Sequence, residues 1–118
     1  MILKYKLYHN PRCSKSREAV EYLNSQKIEY DIFNYTKDGL NMENLLEIIN
    51  KSDLKPIDLV RKQEKIWKQS NIDLDSPDNL VLDAIIKFPV ILHRPILVSK
   101  KKAIIARPVT EILKITGN

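Results

Sequence analysis

The 118-residue chain has a single cysteine, Cys13. No internal disulfide can form, and a free thiol suits a reducing compartment, so the cytoplasm is the expected location. Only two glycines are present, which leaves little material for flexible linkers. The apolar runs last a few residues each, against the roughly 20 needed to cross a bilayer, so no membrane association is expected. The opening "MILKYKLYHN" sets lysines inside its apolar stretch and does not fit a signal peptide. One Cys and two His, His9 and His93, fall short of the usual ligand clusters, and no metal is expected. Arginine is scarce too. Of 20 basic residues only Arg12, Arg17, Arg61, Arg94 and Arg107 are arginines. The formal charge of +5 comes mainly from scattered lysines. That pattern reads as a solvated surface, and no nucleic-acid partner is expected.

What is present is ordinary globular material, 43% hydrophobic and 30% charged. The length suits one core, and a single domain over 1–118 is expected. Residues 2–8, "ILKYKLY", read as a strand. Ser14 or Ser16 can cap a helix reaching about Gln26, with Ala19, Val20 and Leu23 on one face. "IEYDIFNY" (28–35) reads as a second strand, so the start is a βαβ unit with a parallel pair. Asn41 can cap a helix over 42–50, with Met42, Leu45, Leu46 and Ile49 at helical spacing. Residues 55–69 suit one or two short helices, broken near Pro56. Ser76-Pro77 starts another, running to about Lys87 and burying Leu80, Val81, Ala84 and Ile85. Strands fit 95–99 and 103–107 around a lysine turn, and Pro108 opens a last helix. The order β-α-β, helices, β-β-α predicts an α/β thioredoxin-like fold with a mixed sheet and a helical insertion over about 40–90.

Cys13 falls at the junction of the first strand and first helix. Unpaired N–H groups and the dipole at a helix start favour thiolate over thiol, and the thiolate is the nucleophile. Arg12, Lys15 and Arg17 add positive charge nearby. Because Pro11 has no N–H, the amides that cradle an oxyanion beside the sulfur, Ser14 and Lys15 among them, are expected from Arg12 onward. His9, four residues earlier, either tunes the thiol, orients a partner, or is a loop histidine with neither role. The motif "CSKS" is Cys-x-x-Ser, so Ser16 cannot close a disulfide and an outside thiol must resolve Cys13.

Arg94 and Arg107 both precede proline, at opposite ends of the proposed hairpin, which brings them together if it turns near 100–102. Arg61 would come from the insertion. Three arginines meeting one thiol would bind a tetrahedral oxyanion and stabilise charge as it shifts; the alternative is that each makes a surface ion pair.

"YHNPRCSKSRE", "LVRK", "FPVILHRPILV" and "ARPVTEIL", in this order and spacing, resemble the glutaredoxin-linked arsenate reductase family over essentially the whole chain. Its members have a thioredoxin-like fold with a helical insertion. The resemblance implies Cys13 as nucleophile and His9 as the histidine that helps ionise it. It implies Arg61, Arg94 and Arg107 as oxyanion-binding residues, and Pro95 near a cis-proline that faces the active site. It implies arsenate as substrate, no bound cofactor, and glutathione and glutaredoxin as the resolving partners. Arg12 stands where the best-studied reductases carry a small residue, so "HNPRCSKSR" looks like a less characterised branch. Two other readings remain open from the residues: a glutathione-dependent thiol oxidoreductase that removes glutathione from proteins, and a non-catalytic redox or transcription regulator.

Overall fold

In a computed structural model, residues 5–70, 72–73 and 75–116 are described. The chain runs β1 (Lys6–His9), α1 (Ser14–Ser25), β2 (Asp31–Asn34), α2 (Tyr35–Asp38) and α3 (Met42–Asn50), then a 3-10 turn over Pro56–Leu59. It continues with α4 (Lys65–Gln69), α5 (Asp78–Lys87), a second 3-10 turn over Pro89–Ile91, β3 (Ile96–Val98) and β4 (Ala103–Ile105). A 3-10 turn over Val109–Ile112 leads into α6 (Leu113–Thr116). The sheet order is β2-β1-β3-β4. β1 pairs parallel with β2 and antiparallel with β3, and β3 pairs antiparallel with β4. This is the mixed sheet and thioredoxin-like order expected from the sequence.

The two-residue period of the central strands splits the core between the two faces. Tyr8, Ile96 and Val98 point to one face, where they meet Leu45 and Ile48 of α3 and Val81 and Ile85 of α5. Leu7 and Leu97 point to the other, against Ala19 and Leu23 of α1 and Ile112. Every residue of β3 is buried because helices cover both faces there. Leu97 is fully buried, so truncating it to alanine removes about 2–5 kcal/mol.

Several elements differ from expectation at their ends. The first four residues of the proposed 2–8 strand include positions outside the described residues, and β1 runs on to His9. β2, β3 and β4 are shorter than 28–35, 95–99 and 103–107. Neither Ser14 nor Ser16 caps α1; Cys13 is the N-cap, in extended conformation and without a side-chain cap. Asn41 does cap α3, accepting from Asn44 N at 2.8 Å while Asn44 Oδ1 accepts from Asn41 N at 3.0 Å. Pro56 begins its helical turn instead of breaking it, since proline lacks only an N–H that a first turn does not use. The break follows Leu59. Pro77, not Ser76, is the N-cap of α5. Leu46 and Leu80 are exposed, at 42% and 45%, because α3 turns Leu45 and Ile48 inward and α5 turns in Val81, Leu82, Ala84 and Ile85. The last helix starts as a 3-10 turn after Pro108.

Candidate active site

The parallel β1–β2 pair delivers the chain out of the sheet at His9, and the loop Asn10–Cys13 turns it into α1. Short-range bonds fix that turn. Cys13 N donates to Asn10 O at 3.0 Å, and Arg12 N donates to Asn10 Oδ1 at 3.0 Å. From below, Ser16 Oγ accepts from Asn10 N at 3.0 Å and pairs with His9 Nδ1 at 2.9 Å. From outside, Arg17 Nη1 donates to Pro11 O at 2.8 Å. Ser16 is fully buried and Asn10 nearly so. The serine of Cys-x-x-Ser therefore has a positive task. It locks the loop that carries the thiol.

Cys13 is a free thiol, 9% exposed. Burial works against its ionisation, yet its pKa still lies below the ordinary thiol value. The N–H of Ser16, the Arg94 guanidinium and the N–H of Lys15 hold the thiolate and outweigh burial. The amide cradle starts later than expected, because Arg12 N–H is already committed to Asn10 Oδ1. The nearby side-chain charges are spent elsewhere as well. Lys15 Nζ faces Glu18 at 3.6 Å, Arg17 faces the Pro11 carbonyl, and Arg12 is exposed. Thiolate stabilisation at α1 thus comes from backbone amides and a distant arginine. Ser14 opens the helix and is exposed at its first turn.

Arg94 is 5% exposed. Its Nη1 donates to Val90 O at 2.8 Å and Leu92 O at 3.4 Å, and its Nη2 meets Glu64 Oε1 at 3.1 Å. Arg61 Nη1 reaches the same Glu64 oxygen at 3.3 Å. Backbone bonds hold the two segments together: Arg61 N donates to Ile91 O and His93 N to Leu59 O, each at 2.7 Å. Arg107 Nη1 donates to Arg94 O at 3.1 Å. The hairpin thus brings Arg94 and Arg107 together, and the insertion brings Arg61 to Arg94. The Arg94–Pro95 bond is cis, as is Arg107–Pro108.

Both histidines are held neutral near pH 7. Burial lowers the pKa of His9, with Arg17 adding to it. Burial lowers that of His93, which also faces Arg107, Arg61, Arg94 and Lys62. His9 bonds to Ser16 and so reaches the thiol through the loop. Tyr35, fully buried beneath the site, keeps its phenol proton because burial pushes its pKa up. Sequence reasoning missed Glu64, Asn10 and the inward role of Ser16. A carboxylate three residues after Arg61 was the available signal for Glu64.

Two concavities flank the site. A groove of about 730 Å³ reaches His93 and Arg107 but not Cys13. A second, of about 520 Å³, abuts the thiol loop and is lined by Asn10, Arg12, Lys37, Lys87, Phe88 and Val90, among others.

A cysteine at a helix start, amides and an arginine around its sulfur, and a mixed sheet with a helical insertion define a thioredoxin-like protein with a single free thiol. Residues 8–115 match the ArsC family, and the chain belongs to it. It is 33% identical to uncharacterized protein YfgD of Escherichia coli K12, over 99% of this chain and 100% of that one. It is 34% identical to an arsenate reductase of Neisseria meningitidis serogroup A, over 91% of this chain and 93% of the relative. The solved structure of an arsenate reductase from Vibrio cholerae superposes with a TM-score of 0.89 at 29% identity, covering 98% of this chain and 99% of that one.

Proposed function

We propose that the chain reduces arsenate to arsenite, with Cys13 as nucleophile and glutathione and glutaredoxin as the reducing partners. The observation that carries this reading is the Cys13 thiol with its lowered pKa, set between the α1 amides and Arg94. In the first step the sulfur bonds to arsenic, one arsenic–oxygen bond breaks, and the oxygen leaves as water after taking a proton. A glutathione thiol adds in the same way. Arsenic then gains two electrons as the two sulfurs join in a disulfide, and arsenite departs. Glutaredoxin and further glutathione return Cys13 to the thiol, a step that Ser16 cannot perform.

Arg94, Arg61 and Arg107 bind the oxyanion and take up the charge that moves onto its oxygens during attack. The amides of Ser14 and Lys15 add donors at the start of α1. His9 positions the loop through Ser16. The 520 Å³ concavity suits glutathione, since Arg12, Lys37 and Lys87 can meet its carboxylates beside the loop that carries Cys13. Arsenite formation from arsenate, with glutathione and glutaredoxin supplied, tests the proposal. Turnover by wild type and none by Cys13→Ser is expected. No arsenite above the Cys13→Ser blank would overturn it. Release of glutathione from a glutathionylated protein, without arsenite, would instead favour the thiol oxidoreductase that Cys-x-x-Ser also permits.

A further inference from the structure

Glu64 has no part in the steps above, yet it sits among the residues that carry them. Its Oε1 lies 3.1 Å from Arg94 Nη2 and 3.3 Å from Arg61 Nη1. One carboxylate oxygen therefore bridges two of the three arginines assigned to the oxyanion.

The bridge is not needed to place Arg94. That guanidinium is already anchored by the carbonyls of Val90 and Leu92, from a loop itself tied to the insertion by backbone bonds. Nor does the carboxylate serve its own helix. Glu64 is the N-cap residue of α4, a position where a short polar side chain such as Asp or Ser accepts from the first free amides. Its side chain makes no such bond and turns to the arginines instead. A carboxylate oxygen and an arsenate or sulfate oxygen make the same demand on a guanidinium: a charge-assisted, forked contact.

From this geometry we infer that Glu64 is a built-in competitor of the oxyanion, occupying one N–H-bearing nitrogen of Arg61 and one of Arg94 and offsetting the charge of both. This rests on the reading that these arginines receive the oxyanion. The carboxylate then sets the affinity of the site. It weakens binding of every tetrahedral anion, and only an anion that also bonds covalently to Cys13 recovers the loss. Sulfate cannot make that bond, so it stays weakly held, and the discrimination between the two anions rests on the Cys13 sulfur.

The test is protection of Cys13 from iodoacetamide by inorganic sulfate and phosphate, in wild type, Glu64→Gln, Glu64→Ala and Glu43→Gln. Glu43 is an exposed carboxylate on α3 and controls for net charge. Glu64→Gln and Glu64→Ala are each expected to lower the half-protecting sulfate concentration by about threefold or more, the scale of a partly exposed charge contact. Glu43→Gln is expected to leave it unchanged. In turnover, Glu64→Gln is expected to lower the arsenate KM without raising kcat. Unchanged or weaker protection in Glu64→Gln would overturn the inference. So would equal tightening in Glu43→Gln, or no protection of wild type by either anion. Glu64-dependent protection by sulfate in a protein that does not turn over arsenate would remove the proposed reaction and leave this inference standing.

Discussion

The thiol loop and the arginine cluster are built in opposite ways. The loop from His9 to Arg17 is fixed largely by hydrogen bonds among its own residues, which span at most seven positions along the chain. The arginine cluster is assembled from segments 30 and 13 residues apart, joined through Glu64 and the Arg94 carbonyl. The thiol is thus placed by local bonds, while its electrostatic partner depends on the packing of the insertion against the β3 approach. The two regions are coupled where the Arg94 guanidinium stabilises the Cys13 thiolate. Damage to the loop should therefore reposition the thiol, and damage to the cluster should change its charge state and its hold on an oxyanion.

The largest expected effect is on the loop side. Cys13→Ser removes all alkylation by iodoacetamide and all turnover, read by mass spectrometry and by arsenite formation. Next comes the cluster. Arg94→Ala loses a charge-assisted contact worth about 1.5–3 kcal/mol, which is roughly a 10- to 150-fold fall in kcat/KM for arsenate. The same variant raises the pH midpoint of Cys13 alkylation, because a cation that favours thiolate is gone. An unchanged midpoint would mean that the two regions are not coupled. Ser16→Ala leaves Asn10 N–H and His9 Nδ1 buried without their partner, and should cost about 1–3 kcal/mol of stability in denaturant melts. Full stability in that variant would deny the loop its lock. The smallest effect belongs to Lys15→Ala. Its side chain is exposed and faces Glu18, so the alkylation midpoint should stay within experimental error of wild type.

The loop was the part most open to sequence reading, for the same reason that local bonds place it. Its contacts are short in sequence, and "HNPRC" before an amphipathic helix places a thiol at helical amides. The reading went wrong where side chains choose between near neighbours. Ser16 faces His9 instead of capping α1, and Arg17 turns to the Pro11 carbonyl instead of the sulfur. The order of elements along the chain and the helical middle were legible because hydrophobic period is local, although Pro56 starts a turn where a break was expected. The meeting of Arg61 with Arg94 was legible only as a possibility of topology. Its bridging carboxylate, Glu64, was half legible: its place three residues after Arg61 is a local signal, but its reach to Arg94, 30 residues on, is not.

The lowered thiol pKa also links to stability. The folded state holds Cys13 as thiolate at pH values where the unfolded chain still binds the proton. The contribution of Cys13 to stability therefore rises as pH climbs from the folded value to the ordinary thiol value of about 8.5, and is fully present above it. The stability difference between wild type and Cys13→Ser should follow that curve.

The rate of Cys13 alkylation by iodoacetamide as a function of pH tests most directly whether α1 amides and Arg94 hold the sulfur as a thiolate. The midpoint should fall below about 8.5, the value of a free cysteine, and move upward in Arg94→Ala. A wild-type midpoint at or above that value, unmoved by Arg94→Ala, would contradict it.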